Sequence, residues 1–316
     1  MRLALKVDVD TLRGTLEGVP NLLRTLDHHG LNATFLFSLG PDHTGRALRR
    51  IFRRGFLGKV MRTSVGANYG LKTLCYGTLL PGPDIGRKAS HILRAARDGG
   101  FDLGIHCYDH VRWQDYVATK GEEWTRHEIT LAAERFTEIF GVPARTHGAA
   151  GWQMNDHAFR MEEEFKFAYC SDTRGTHPFL PFVAGKPVVC PQIPTTLPTL
   201  DELIGVDGIT EDNVVDQILR RSEQSGPYGH VYTLHAELEG MRFLPVFESL
   251  LSGWRERGYQ INSLGELSRS LDVSSLPVHR VIAGEIEGRT GMLAVQGEKV
   301  SFPDLRSAEL QKSHDA

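Results

Sequence analysis

Short apolar runs alternate with amphipathic stretches along most of this chain, and no other feature restricts its fold as tightly. The runs at 3–9, 33–38, 101–106, 167–171, 188–193 and 231–235 read as buried strands, with a last one near Gln260–Ser263. Between them lie helical patterns at 18–29, 85–98, 121–140, 156–165, 212–225 and 245–257. Strands and helices in strict alternation are the signature of βα units around a parallel sheet or barrel. With 316 residues, 41% of them hydrophobic, the chain can bury a full core. No Pro/Ser linker, low-complexity stretch or fixed-period repeat divides the pattern, so residues 1–275 are expected to form one α/β unit.

Two segments depart from that rhythm. Residues 40–83 are too long for a βα connection and read as a helical insertion after the second strand. Between Arg46 and Arg62 stand seven basic residues and no acidic one, with Leu48, Ile51, Phe52, Phe56, Val60 and Met61 at roughly helical spacing. Arg49, Arg50, Arg53 and Arg54 could face lipid phosphates while Phe52 and Phe56 enter the headgroup layer; the plainer reading is a lid with its arginines in solvent. The text changes again after residue 275. Residues 276–306 look like a β-hairpin appendage, and 307–316 read as a flexible tail.

Composition excludes several classes. A net charge of −3 argues against general nucleic-acid binding, and the basic run has no recognition-fold context. Cys75, Cys107, Cys170 and Cys190 show no Cys-x-x-Cys spacing, so neither a structural zinc site nor a disulfide framework is suggested, and a reducing cytosol fits. The N-terminus enters a strand at once rather than a signal peptide, and no apolar stretch approaches the length of a spanning helix.

Chemistry concentrates in two blocks at predicted strand ends, where α/β folds place their active sites. One is Asp8-Val9-Asp10 and the other His106-Cys107-Tyr108-Asp109-His110. Two imidazoles four apart can converge on one ion, one carboxylate can complete a facial His/His/Asp triad, and the second is left free as a base. The pair reads as a metal-assisted hydrolase. The ion is divalent, zinc first, with cobalt, nickel, manganese or iron also compatible with such a ligand set.

These blocks, together with Thr233-Leu234-His235, resemble the motifs of the NodB-type polysaccharide deacetylases, carbohydrate esterase family 4. That resemblance implies a distorted (β/α) barrel, Asp8 as general base, Asp10, His106 and His110 as ligands, and His235 as general acid. Asp172, in Ser171-Asp172-Thr173-Arg174-Gly175, is the candidate partner that holds a catalytic histidine near its working pKa. The family's usual Arg-x-Pro-Tyr-Gly string is missing, so whether Arg145 or Arg174 pairs with Asp8 stays open.

Further strings resemble one member group, the 4-deoxy-4-formamido-L-arabinose-phosphoundecaprenol deformylases of lipid A modification. They are Asp8-Val-Asp-Thr-Leu-Arg13-Gly, Ala149-Ala-Gly-Trp152, Ser171-Asp-x-Arg174-Gly, Gln192-Ile-Pro-x-Thr-Leu-Pro and His235-Ala-Glu237-x-Glu-Gly240. The resemblance implies hydrolysis of a formamide on a polyprenyl-phosphate-linked amino sugar, at the cytoplasmic face of the inner membrane, for antimicrobial-peptide and polymyxin resistance. It also gives the basic insertion a role as a membrane dock. Arg13 and Arg174, fixed cations near strand ends, could grip the phosphate oxygens, and Glu237 could meet the sugar or its emerging amine, with Trp152 a further substrate contact; each charge is otherwise an ordinary loop charge. The alternatives are another amino-sugar deacetylase, of peptidoglycan or chitin type, and a non-catalytic carbohydrate-binding barrel. The first would call for a secretion signal and the second for loss of Asp8, a ligand or His235.

Overall fold

The protein is described by a computed structural model that covers residues 1–51, 71–224 and 226–300. The first strand, β1 (Arg2–Val9), is buried along all but its first residue, as a strand with both faces covered must be. The other strands of its sheet are β2 (Thr34–Ser38), β3 (Asp102–Cys107), β4 (Thr146–His147), β5 (Tyr169–Cys170), β8 (His230–His235) and β9 (Gln260–Ser263). They bond in the order β5-β4-β3-β2-β1-β8, all parallel. β1 is shared between two neighbours on one side, Arg2–Leu5 lying on β9 and Lys6–Val9 on β2.

The sheet curls until its edges nearly meet, and an irregular ribbon closes the gap. Cys170 N donates to Pro191 O and Ile193 N to Cys170 O, while Thr195 N reaches Thr173 O. On the other side Thr196 N and Leu197 N both donate to Val231 O of β8. The run expected as a strand over 188–193 is therefore this ribbon, held by isolated bridges such as Cys170 to Gln192. Prolines at 191, 194 and 198 explain why it forms no regular ladder, since each removes a donor.

Helices cover the sheet and are cut to length by their caps. The helix Val19–His29 ends at Gly30, whose φ of 62° is the left-handed geometry that favours glycine, and Glu122–Phe140 ends in the same way at Gly141. The helix Leu244–Glu256 presses Trp254 onto Tyr232 of β8, with ring centroids 5.3 Å apart, and the indole donates to Ser222 Oγ. No helix among the described residues is long and apolar enough to cross a membrane.

A second sheet joins the C-terminal hairpin, β10 (Val278–Gly284) and β11 (Leu293–Lys299), to β6 (Leu180–Val183) and β7 (Lys186–Pro187) in the order β11-β10-β6-β7. β11 is stitched to the barrel rim, because Arg174 N donates to Ala294 O and Gln296 N to Arg174 O. Of the basic insertion, the backbone of the helix Thr44–Ile51 carries Arg49 and Arg50, whereas Phe52, Arg53, Arg54 and Phe56 lie outside the described residues.

Trp254 closes the core beneath β8, so truncating it should leave a void the packed surroundings cannot fill. Trp254→Ala is expected to lower unfolding free energy by about 3–5 kcal/mol. Equilibrium urea unfolding measures it, and a midpoint equal to wild type would show that the helix does not lean on that ring.

Candidate active site

Both histidines of the second block are set by one strand-turn-helix corner. His106 is the penultimate residue of β3, and Asp109 caps the helix His110–Tyr116 by accepting from Arg112 N. The chain thus turns back within four residues, which brings the rings to centroids 5.3 Å apart. Asp10 follows β1 and aims Oδ1 at both, 3.2 Å from His106 Nε2 and 3.4 Å from His110 Nε2. His106 Nδ1 lies 2.6 Å from Gly148 O, a carbonyl that can only accept, so its proton is fixed there and Nε2 presents a lone pair.

This donor set fits a divalent ion. The three ligand atoms lie within 4.8 Å of one another, and Asp10 Oδ1 is a buried oxygen with no hydrogen-bond partner. Burial alone would raise the Asp10 carboxyl, but His110, His106 and His235 outweigh it and hold the group well below the usual carboxylate range. For His106 burial works downward, and the Asp8 and Asp10 charges raise it instead.

Asp8 is kept off that triad. Its Oδ2 lies 3.5 Å from Lys6 Nζ and its Oδ1 is 3.8 Å from His106 Nδ1. Neither arginine weighed from the sequence fills the role of counter-charge: Arg145 is exposed, and Arg174 is bonded elsewhere. Lys6 comes from the same strand and face as Asp8, fully buried, with Nζ donating to Ser171 O and lying 5.1 Å from the Trp152 ring centroid. A lysine two residues before the motif on a buried strand was the signal that could have found it. His235 is the register partner of Asp8 across β1 and β8, so the two side chains stand next to each other on adjacent strand ends.

Two acids of the loop after β8 brace this arrangement. Glu237 Oε1 accepts from Asp10 N at 3.1 Å, Thr11 N at 2.8 Å and Thr11 Oγ1 at 2.8 Å, tying the loop that carries Asp10 to the end of β8. Its Oε2 is buried without a hydrogen-bond partner. Burial first, then the Asp10 charge, push the Glu237 carboxyl well above its ordinary range. Glu239 sits beneath His235, accepting from its backbone N–H and from the Tyr232 hydroxyl, both at 2.9 Å.

Asp172, expected beside a catalytic histidine, has its hydrogen bonds elsewhere than His235. Oδ1 meets His147 Nδ1 at 2.6 Å and Ala149 N at 2.7 Å, and Oδ2 takes Gln192 Nε2. It therefore shapes the loop whose Gly148 carbonyl holds His106. Arg174 donates to Glu202 and to Leu197 O, and Arg289, from the turn between β10 and β11, reaches the same Glu202 and Asp201. Lys6, Arg174 and Arg289 all lie about the buried Trp152 ring, 5.1, 5.1 and 4.5 Å from its centroid. Arg13 is ion-paired with Glu17 at the more exposed rim.

No family model matches the chain. It is 36% identical over 300 residues, 95% of this chain and 96% of the relative, to a protein of Shewanella sediminis named as a 4-deoxy-4-formamido-L-arabinose-phosphoundecaprenol deformylase. A relative with the same name from Wigglesworthia glossinidia brevipalpis is 31% identical, covering 90% of this chain and 98% of its own. Among solved structures, a polysaccharide deacetylase of Mycobacterium smegmatis superposes with a TM-score of 0.61 at 16% identity, over 90% of this chain and 94% of that one. One from Pseudomonas aeruginosa PAO1 gives 0.56 at 14% identity, over 85% and 89%. The distorted barrel expected from the motifs is the fold these structures share.

Burial raises the Glu239 carboxyl to about 7 against the pull of His235 and its hydrogen bonds. The folded state thus keeps a proton that the unfolded chain releases near the ordinary glutamate value. Stability from this group is present at low pH and is lost as pH rises through about 7, on the order of 3 kcal/mol in all. Glu239→Gln, which can still accept from His235 N, should remove that slope. Urea midpoints of wild type and variant between pH 5 and 8 test it; parallel pH profiles would refute it.

Proposed function

The chain belongs to the 4-deoxy-4-formamido-L-arabinose-phosphoundecaprenol deformylases, and on that premise we propose that it hydrolyses the formamide of undecaprenyl phosphate 4-deoxy-4-formamido-L-arabinose. The products are formate and the 4-amino-4-deoxy-L-arabinose lipid, which serves lipid A modification and resistance to cationic antimicrobial peptides such as polymyxin. The observation that carries this reading is the meeting of a His/His/Asp ligand set with a separate carboxylate and a separate imidazole at neighbouring strand ends.

Asp10 Oδ1, His106 Nε2 and His110 Nε2 would hold one divalent ion, zinc first among the metals such ligands accept. When bound, it supplies polarisation of the amide carbonyl and a lowered pKa for water. Asp8 takes the proton of the attacking water, and Lys6 beside it steadies the carboxylate before that transfer. His235 delivers a proton to the departing amine nitrogen, so the C–N bond breaks to leave a neutral amine rather than an amide anion. Glu237 keeps Asp10 in place, and its second oxygen can receive a substrate hydroxyl or the new amine. Arg13 and the cations around Trp152 supply positive potential for the sugar phosphate.

His106→Ala is expected to lose the ion almost completely. Asp8→Asn should keep it and lose about 10²- to 10⁴-fold in turnover, the share of a general base. Metal content and formate release, followed by mass spectrometry on formylated and acetylated amino-sugar polyprenyl phosphates, decide both; Asp8→Asn at wild-type rate would remove Asp8 as the base.

The substrate's polyprenol lies in the membrane, and the basic insertion gives the barrel a means of reaching it from the cytoplasmic side. Replacing Arg49, Arg50, Arg53 and Arg54 by glutamate should abolish flotation with anionic liposomes, each arginine contributing roughly 1 kcal/mol at such a surface. Activity on a short water-soluble analogue should survive. Unchanged flotation would leave the insertion as a lid.

A further inference from the structure

A second group of metal-binding side chains lies apart from the triad. Glu162, Cys170 and Cys190 each offer a ligand atom, all within 4.8 Å of one another, and all three residues are buried. The two Sγ atoms are 3.6 Å apart. Thiolates bound at about 2.3 Å on one tetrahedral ion stand roughly 3.7 Å from each other, so the pair is already spaced for one. Glu162 Oε2 is occupied, accepting from Gln192 Nε2 at 2.9 Å. Its Oε1 meets no N–H donor although the residue is only 1% exposed, and the side chain lies within hydrogen-bond reach of the Asp172 carboxylate. Two buried acids in contact need a shared proton or a cation between them.

We propose that Cys170, Cys190 and Glu162 hold a second, structural metal ion of zinc type, distinct from the catalytic one. Two sulfurs and one carboxylate oxygen are a ligand set that selects zinc over magnesium, calcium or manganese. A water would make the fourth ligand.

The ligands come from three elements that the barrel must bring together: the helix Asp156–Glu164, strand β5, and the ribbon that closes the sheet. An ion there clamps the ribbon to the open edge of β5. Gln192 relays that clamp to Asp172, whose bonds to His147 and Ala149 set the loop carrying the Gly148 carbonyl under His106.

The test uses the full chain produced with cobalt in place of zinc. Wild type should carry two ions, and His106→Ala/His110→Ala one, with the thiolate-to-cobalt charge-transfer absorption retained. Cys170→Ser/Cys190→Ser should lose that absorption while Cys107→Ala, beside the catalytic triad, keeps it. Should the serine variant fail to fold, X-ray absorption at the zinc edge of wild type decides, with sulfur at about 2.3 Å expected. A single ion per chain with only nitrogen and oxygen neighbours would overturn the proposal, as would a Cys170–Cys190 disulfide in the freshly purified protein. A single ion with sulfur neighbours, unaffected by His106→Ala/His110→Ala, would support it while removing the catalytic triad.

Discussion

One carboxylate oxygen, Glu237 Oε1, holds together the two strand ends on which the chemistry rests. It receives hydrogen bonds from Asp10 N, Thr11 N and Thr11 Oγ1, and so ties the exit of β1 to the exit of β8. The contact is possible because residue 14 is glycine: a Cβ there would stand 2.0 Å from that oxygen. Strand pairing sets Asp8 against His235, but Asp10 has already left the ladder and would otherwise wander. A loop glutamate, buried and shifted toward its neutral form, fixes the ligand that the sheet alone does not.

Charge is the second constraint, because the site gathers acids and cations among buried side chains. Lys6 stands between Asp8 and the Ser171 carbonyl, and Arg174 and Arg289 converge on Glu202. Buried ions are tolerated when each is met by an opposite charge and its remaining donors find oxygens. The three cations gather about the Trp152 ring, and Asp8, Asp201 and Glu202 offset their mutual repulsion.

The sequence made the strand ends legible because buried parallel strands are apolar runs, and a carboxylate or imidazole that ends one stands out. β1, β2, β3, β8 and β9 lie where those runs predict them. The expected strands over 167–171 and 188–193 shrink to Tyr169–Cys170 and to a ribbon, since prolines and the tight curl interrupt pairing there. What stayed hidden were mostly pairings across long sequence distances: His147 meets Asp172, and Arg289 arrives from a hairpin that read as an appendage. Lys6 is the exception, meeting Asp8 from two residues away where an arginine was sought. Cys170 and Cys190, twenty positions apart, carry no spacing motif because the curl of the sheet brings them together. Pattern along the chain reports what one element does by itself; these contacts depend on closure.

That hairpin changes how the substrate side of the barrel should be understood. β11 pairs with the Arg174 backbone, Met292 O accepts from Gln153, and Arg289 is placed over the Trp152 ring. The C-terminal sheet is thus a wall of the site, and it contributes a guanidinium whose charge is felt at Asp10. A barrel without it would keep the ligand triad, Asp8 and His235, all of which lie before residue 240. It would lose one of the cations about Trp152 and the contact that pins Arg174. The candidate ligand set and its neighbouring acid and imidazole are therefore held by the parallel sheet, whereas the cations about Trp152 are completed only by the hairpin.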